Sequence, residues 1–261
     1  MKHLETKQLI RLILDDSVSA LETELCSVQP QHADGAPSKK ETISHFVSAD
    51  FLSAEHSEEF FSQIEHHIYR GDTALHVAAA AHSPDIVRWL IANGADLCAA
   101  NRRGAQPLHY AADHSDEDEQ SDTARNGAQT TTGILKHEHP GSQTEVIQIL
   151  IAAGADPNAL DKSGVTPLHR AVRKRSIEAV RALLAGGAEP RKPNRSGSTP
   201  LHLAVQNTGS GGSGTAAARS RQREIIACLL QHGAKPSDKD GQGKSVTDSA
   251  VSPWIRELML G

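Results

Sequence analysis

The sequence predicts an all-α solenoid, a row of stacked helix-turn-helix units joined by short turns. A segment close to G-x-T-P-L-H opens each of four units, at Gly71, Gly104, Gly164 and Gly197. A second glycine follows an apolar run in each unit, in LIANGAD, LIAAGAD, LLAGGAE and LLQHGAK. Aromatic residues make up only 3% of the chain. This composition favours thin layers of small aliphatic side chains between helix pairs over one large core.

The clearest unit is residues 161–189, DKSGVTPLHRAVRKRSIEAVRALLAGGAE. It predicts a turn, a short helix, a tight reversal, a second helix and a glycine stop. Pro167 stands at the first helical position, where no backbone N–H is needed, and Thr166 before it can cap the helix. Gly187 allows the left-handed residue that ends the second helix. Because one such unit cannot bury its apolar face alone, it requires stacked neighbours.

The recurring segments resemble the repeats of the ankyrin family. T-P-L-H-x-A and L-L-x-x-G-A-D recur in phase, and the interval from Gly71 to Gly104 is 33 residues, as is that from Gly164 to Gly197. The resemblance covers about residues 67–251 and implies a solenoid with β-turn fingers. It also implies that the histidine of each motif hydrogen-bonds neighbouring backbone and ties the repeats together. These histidines are His76, His109, His169 and His202.

Degenerate units are predicted at both ends of the array. In residues 1–28, apolar residues at helical spacing are interrupted by Asp15, Asp16 and Ser17, which predicts two short capping helices; one long amphipathic helix is the alternative. At the other end, Gly243 opens a fifth unit that lacks the Pro, Leu and His of the motif. Residues 252–261 then predict a closing helix with proline in its first turn.

Residues 29–66 are predicted to be a linker followed by a Phe-rich segment. Pro and Gly residues mark the first part as a loop. The clustering of every Phe in the chain in the second part predicts a helical segment that packs back on the first repeat, with docking to a partner as the alternative. The residues of this cluster are Phe46, Phe51, Phe60, Phe61 and Ile64.

Two insertions interrupt the period, each between the two helices of its repeat. The interval from Gly104 to Gly164 is 60 residues, so 27 residues have been added, near 116–142. The interval from Gly197 to Gly243 is 46, an addition of 13, near 207–219. The first insertion begins with a run of acidic residues that could fold over a basic surface and compete with an acidic partner. The alternative is that both are tolerated surface loops.

Composition excludes several classes of protein. The net charge of −5 gives no global field that favours nucleic acid or an anionic membrane. The cysteines, Cys26, Cys98 and Cys228, are scattered, which predicts a reducing compartment, with Cys98 and Cys228 as small buried apolar groups. The beginning of the chain lacks the pattern of a signal peptide, and no apolar run is long enough to span a membrane. We therefore expect a soluble cytoplasmic protein.

No catalytic, cofactor or metal site is predicted, and no small-molecule ligand is expected. Gly243, Lys244 and Ser245 resemble the end of a phosphate-binding loop, but that motif requires glycine where this chain has Asp238, and the repeat register accounts for these residues. His137 and His139 support only a weak zinc hypothesis, because further ligands are needed.

The ankyrin resemblance implies that partners contact the finger tips and the exposed side of each first helix. On this surface seven residues are basic and two acidic, which predicts a non-catalytic protein-interaction module that binds an acidic protein surface. The alternatives are an accessory domain or regulatory subunit of an enzyme, nucleic-acid binding, and a basic surface that serves only solubility. The residues are Tyr69, Arg70 and Asp72; Arg102, Arg103 and Asp113; Lys162, Ser163, Arg173 and Lys174; and Arg195, Ser196, Gln206 and Asn207.

Overall fold

The computed structural model describes residues 11–27, 40, 43, 46–47, 58–61, 66–113, 142–206 and 215–260. The prediction of an all-α repeat solenoid is confirmed. The elements in chain order are α1 (Val18–Ser27), β1 (Glu58–Phe61), β2 (His66–Tyr69), α2 (Ala74–Ala80), α3 (Pro84–Ala92), α4 (Pro107–Ala111), α5 (Ser142–Ala152), α6 (Pro167–Lys174), α7 (Ile177–Ala185), α8 (Pro200–Ala204), α9 (Ala216–Gln231), α10 (Val246–Ser249) and α11 (Pro253–Leu260).

Four repeats form two layers of helices. The first helices, α2, α4, α6 and α8, pack on one another, and the second helices, α3, α5, α7 and α9, form the parallel layer. One continuous apolar core runs between the layers, as expected for units that bury their faces only by stacking. A leucine of each helix is at most 1% exposed; these are Leu75, Leu108, Leu168 and Leu201 in the first layer and Leu90, Leu150, Leu183 and Leu229 in the second.

The motif histidine links each repeat to the next. In the third repeat, Thr166 N donates a hydrogen bond to His169 Nδ1 at 3.2 Å. Because Nδ1 accepts, the proton lies on Nε2, which donates to Ser198 O at 3.0 Å. The same pair of bonds recurs in the other repeats, where the Nε2 atoms of His76, His109 and His202 donate to Ala105 O, Val165 O and Lys244 O.

A left-handed glycine ends the second helix of the third repeat, as predicted. Gly187 has a φ of 92°, and the N–H of Ala188 donates to Leu183 O at 2.9 Å, which closes the last turn. Because glycine has no Cβ, it adopts this conformation without the cost that other residues incur. The second helix therefore stops where the chain must turn towards the next finger.

The N-terminal unit packs on the second helix of the first repeat. Residues 11–14 are helical, and a turn at Asp15 and Asp16 separates them from α1. The Asp16 carboxylate accepts from the N–H of Ile86 at 2.9 Å and caps α3 from outside that helix. Trp89 Nε1 donates to Glu22 Oε1 at 2.8 Å. The bond from Ile86 satisfies a free N–H group at the start of α3, and both bonds fix the N-terminal unit against that helix.

The helical prediction for the Phe-rich segment is wrong at residues 58–61. They form β1, which pairs antiparallel with β2, so that Glu58 faces Tyr69 and Phe61 faces His66. Aromatic and β-branched residues favour strands, and the hairpin satisfies the backbone of a segment that leads directly into the first finger. Phe46 lies in a helical stretch and packs against the core. Phe51 and Ile64 lie outside the described residues.

The predicted insertions fall largely outside the described residues. Residues 114–141, with the acidic run and His137 and His139, lie between α4 and α5. The second insertion was predicted to extend to Arg219, but α9 begins at Ala216. Thr215 Oγ1 accepts from the N–H of Ala218 at 3.1 Å, and a cap followed by alanines favours helix. The last residues of the predicted insertion are therefore the first turn of α9.

The fifth unit replaces the Thr–His pair of the motif with serine and aspartate. The N–H of Asp248 donates to Ser245 Oγ at 3.1 Å, and the N–H of Ser245 donates to Asp248 Oδ2 at 3.2 Å. This reciprocal pair caps α10, after which Pro253 begins α11. Lys244 and Ser245 therefore serve the repeat framework.

The cysteine prediction is correct at one position and wrong at the other. Cys228 is 8% exposed, as expected for a small apolar group in a second helix. Cys98 is exposed, because it follows the glycine stop of the first repeat, in the loop that leads to the next finger. No helix among the described residues is long and apolar enough to cross a membrane.

Candidate protein-binding groove

The finger tips form a ladder of backbone hydrogen bonds along the solenoid. Arg102 N donates to Arg70 O at 2.8 Å, and Lys162 N donates to Arg103 O at 2.9 Å. The ladder continues from Arg195 N to Ser163 O at 3.0 Å and from Gly241 N to Ser196 O at 2.9 Å. The predicted finger residues therefore lie side by side in one row, and each finger fixes the position of the next.

The motif glycine permits this close approach of the fingers. Gly164 has a φ of 71°, and a Cβ added there would lie 2.7 Å from Arg195 N. Within the same finger, Asp161 Oδ1 accepts from the N–H groups of Ser163 and Val165 at 2.8 and 2.9 Å. Glycine is thus required both by the backbone conformation and by the neighbouring finger.

A groove of about 830 Å³ lies between the first three fingers and the helices behind them. We call it the basic groove. Eight of the predicted partner residues line it, from Tyr69 to Lys174, whereas Arg70, Arg195, Ser196 and Gln206 are exposed beyond its lining, and Asn207 is outside the described residues. The lining residues are His66, His67, Tyr69, Asn101, Arg102, Arg103, Ala105, Tyr110, Asp113, Asp161, Lys162, Ser163, Val165, Arg170, Arg173 and Lys174.

The basic groove is strongly positive on a negative chain. Its lining contains six Arg or Lys side chains and two carboxylates, a formal charge of +4 with histidine neutral, whereas the whole chain carries −5. A concave surface lined by one sign of charge concentrates the field and attracts ligands of opposite sign.

Asp72 does not belong to the exposed surface, contrary to the sequence prediction. It is 0% exposed. Its carboxylate accepts from the N–H of Tyr69 and the hydroxyl of Tyr110, both at 2.6 Å, and from Asn101 Nδ2 at 2.8 Å. Burial raises the pKa of Tyr110, as do the charge of Asp72 and its hydrogen bond. Asp72 therefore links the first two fingers through buried hydrogen bonds and cannot contact a partner directly.

Asp113 is also more enclosed than predicted, with a side chain 10% exposed. Arg170 Nη1 donates to its Oδ2 at 3.2 Å, and His66 Nε2 lies 3.5 Å from the same oxygen. Burial alone would raise the pKa of Asp113, but the hydrogen bond from His66 and the charges of Arg170 and Lys174 hold it below its usual range. Asp113 is thus an ionised carboxylate in the floor of the groove.

Arg170 is the central cation of that floor, and its burial was not predicted. The residue is 8% exposed, and its guanidinium donates to both Asp113 and Asp161, the latter at 3.3 Å. Asp161 and Asn101 each stand three residues before a motif glycine. That recurring position is a signal in the sequence for side chains that hold the fingers.

Tyr69 supports two arginines at the rim of the groove. The guanidinium carbons of Arg103 and Arg102 lie 4.3 and 5.4 Å from the centroid of its ring. Tyr69 itself is 8% exposed, so it acts as a platform for these cations. The β hairpin contributes His66, whose ring stacks on Tyr110 with centroids 4.3 Å apart. The hairpin thus closes one end of the groove.

Burial keeps three of the motif histidines neutral, His76, His109 and His169. Burial lowers the pKa of His109 to about 4 and also lowers the pKa values of His76 and His169. Each accepts a backbone hydrogen bond at Nδ1, which a protonated ring could not do. Among the described residues, no group of three or more His, Cys, Asp or Glu side chains could hold a metal ion.

Models of ankyrin repeats match two parts of the chain. A model with three copies matches residues 138–240, and one with many copies matches residues 59–111. Together they include the four repeats described above.

Curated relatives from several organisms also match. The chain is 32% identical over 127 residues to the B-cell lymphoma 3 protein homolog of Mus musculus, which covers 44% of this chain and 28% of that protein. It is 34% identical over 107 residues to the E3 ubiquitin-protein ligase KEG of Arabidopsis thaliana, covering 40% of this chain and 5% of that one. An ankyrin repeat protein of Fowlpox virus, FPV223, is 30% identical over 115 residues, which is 79% of its length. The chain thus spans under a third of the first two relatives.

Proposed function

Because the chain belongs to the ankyrin-repeat family, whose repeats generally mediate protein–protein interaction, we propose that it is a non-catalytic interaction module that binds an acidic protein surface. The concave face and the finger tips form the binding surface. The observation that carries this proposal is the basic groove, with a formal charge of +4 on a chain of −5. Such charge separation steers an acidic partner and suppresses basic ones.

Preorganisation is the proposed mechanism of binding. The finger ladder, the buried Asp72 and the ion pairs of Arg170 hold the groove in one shape before a partner arrives. Ordering side chains on binding costs roughly 0.5–1.5 kcal/mol for each flexible side chain. A groove whose arginines already stack on Tyr69 loses less of its binding energy in this way.

Two further candidates follow from the same features with less support. An accessory role in an enzyme is suggested only by the match to part of the E3 ubiquitin-protein ligase KEG. Binding of nucleic acid would use the same cations, but platforms for single strands stack several bases on aromatic rings, and Tyr69 is covered by arginine. We also propose a cytoplasmic setting, since Cys98 and Cys228 are free thiols in the described part of the chain.

Affinity capture with the purified full chain tests the proposed function. The charge-reversal variant changes Arg102, Arg103, Arg173 and Arg195 to Glu. We expect it to lose the acidic proteins that the native chain captures. The matched control reverses an equal number of exposed arginines outside the groove and should retain them. Capture of the same proteins by the native chain and by both variants would contradict the proposal. The control residues are Arg88, Arg181, Arg219 and Arg223.

A further inference from the structure

The basic groove has cations from two separate parts of the repeats. Arg102, Arg103 and Lys162 come from the second and third fingers, and we call them the finger wall. Arg173 and Lys174 come from the C-terminal end of α6, and we call them the helix wall. Both sets line the same groove. An occupant of this groove therefore meets positive charge from both the fingers and α6.

Two cations of the finger wall, Arg103 and Lys162, carry charge that no carboxylate neutralises within the described residues. Neither Arg103 nor Lys162 forms an ion pair there, although both lie at the rim of the groove. Arg103 stacks on Tyr69, and a guanidinium that stacks by its face keeps its in-plane N–H groups free for a carboxylate. The Lys162 side chain passes close to Gly104, since its Cγ would lie 3.1 Å from a Cβ added there. The two cations are thus neighbours on one wall.

The helix wall is also incompletely neutralised. Arg173 Nη2 and Lys174 Nζ lie 3.7 and 3.9 Å from Asp113 Oδ1, too far for hydrogen bonds, and their side chains are 59% and 39% exposed. Asp113 is hydrogen-bonded to Arg170, so this carboxylate is shared among three cations. The helix wall therefore keeps surplus positive charge and can turn it towards a ligand.

Two sets of cations that come from different elements and line one groove match the geometry of an extended chain. Side chains of an extended segment point alternately to opposite sides, with a rise of about 3.3 Å per residue. A run of consecutive acidic residues would present carboxylates to both walls, whereas a helix would present only one stripe to one wall. The volume of about 830 Å³ lies in the range typical of ligand-binding clefts.

We propose that the basic groove binds an extended acidic segment of a partner protein, with successive carboxylates directed in turn to the finger wall and the helix wall. This inference rests on the proposed function and specifies the form of the partner. The floor of the groove, with Arg170 held between two carboxylates, keeps the walls in place and does not itself bind the segment.

Fluorescence anisotropy with two labelled peptides of identical composition tests this inference. One peptide has its Glu residues in a single block, and the other alternates Glu with Ser. We expect the full chain at low salt to bind the block about tenfold more tightly, because only the block can meet both walls. Equal affinity for the two peptides would contradict the proposal that successive carboxylates bind the two walls in turn.

Variants of each wall sharpen the test. The double substitution Arg103→Glu with Lys162→Glu alters the finger wall, and Arg173→Gln with Lys174→Gln alters the helix wall. Either should abolish the preference for the block, because the remaining wall accepts the alternating peptide equally well. Arg181→Glu with Arg219→Glu, outside the groove, should preserve the preference. A preference that survives both wall variants would contradict the inference, and circular dichroism establishes that each variant is folded.

The remaining outcomes separate this inference from the proposed function. If neither peptide binds but capture of proteins still depends on the groove arginines, the partner is a folded surface and only the present inference fails. Tighter binding of a single-stranded oligodeoxynucleotide than of either peptide, lost in the finger-wall variant, would overturn both. Binding that requires phosphoserine in place of Glu would overturn the assignment to carboxylates.

Discussion

Arg170 and Asp113 form an ion pair beneath the basic groove, with Nη1 3.2 Å from Oδ2 and both side chains only 10% exposed. The same guanidinium lies 3.3 Å from Asp161. Two carboxylates from different repeats therefore share one buried cation. Because charges that are withdrawn from water need a partner, this arginine holds the second and third repeats together at the base of the groove.

Substitution of Arg170 by Met is expected to destabilise the array strongly. The change leaves Asp113 and Asp161 without their shared cation, and removal of one partner from a buried ion pair costs about 3–5 kcal/mol. Urea denaturation followed by circular dichroism measures the loss in the free energy of unfolding. The matched control is Arg181→Met, which breaks an ion pair with Glu224 whose side chains are 61% and 48% exposed. It should cost no more than about 1 kcal/mol. Similar losses for the two variants would contradict a structural role for Arg170.

The finger glycine and the helix-stop glycine of the third repeat should differ in their tolerance of alanine. Both have positive φ, 71° at Gly164 and 92° at Gly187, but only Gly164 has a neighbour, with Arg195 N 2.7 Å from an added Cβ. Gly187→Ala should therefore cost about 1–2 kcal/mol for the backbone conformation alone. Gly164→Ala should cost more, because the fingers must also separate. Equal unfolding free energies of the two variants would show that finger contact contributes little.

Stability is expected to fall as the pH is lowered from about 6.5 to about 4. Burial holds the pKa of His109 at about 4 and lowers those of His76 and His169. In this range the unfolded chain binds protons that the folded chain does not, so the free energy of unfolding decreases with falling pH. His109 alone should account for a loss of roughly 3 kcal/mol between pH 7 and pH 4. Urea denaturation across this range measures the slope.

Substitution of single histidines shows which residues cause the dependence of the unfolding free energy on pH. His109→Gln removes a group whose titration is coupled to folding, and the pH dependence should become shallower by up to about one proton. Gln206→Ala, at an exposed position that carries no titrating group, should leave the slope unchanged. A slope that is the same in His109→Gln as in the native chain would show that the motif histidines do not titrate as proposed.

The repeat architecture was predictable because its determinants are local. Thr166, Pro167, His169 and Gly187 lie within one unit and act on backbone a few residues away. Recurrence of the same residues at a fixed interval then identified the array of stacked repeats. The bond from each motif histidine to the next repeat was implied by the resemblance to the ankyrin family.

The floor of the groove was not predictable in the same way, because its contacts join residues distant in sequence. Tyr110 reaches Asp72 across 38 residues, and Arg170 reaches Asp113 across 57. The family pattern places Asp72 and Asp113 on the partner surface. In the structure they are instead hydrogen-bonded to the buried Tyr110 hydroxyl and the buried Arg170 guanidinium. The strand at Glu58–Phe61 was missed for a different reason. Its partner strand is close in sequence, but its own four residues give no decisive helical or alternating pattern.

The most direct test of the binding surface is hydrogen exchange of the full chain with and without an acidic protein recovered by capture. We expect slower exchange at the finger segments 101–105 and 161–165 and in α6, with the second helices α3 and α7 unchanged. Slower exchange confined to α3 and α7, with the fingers unaffected, would contradict this expectation.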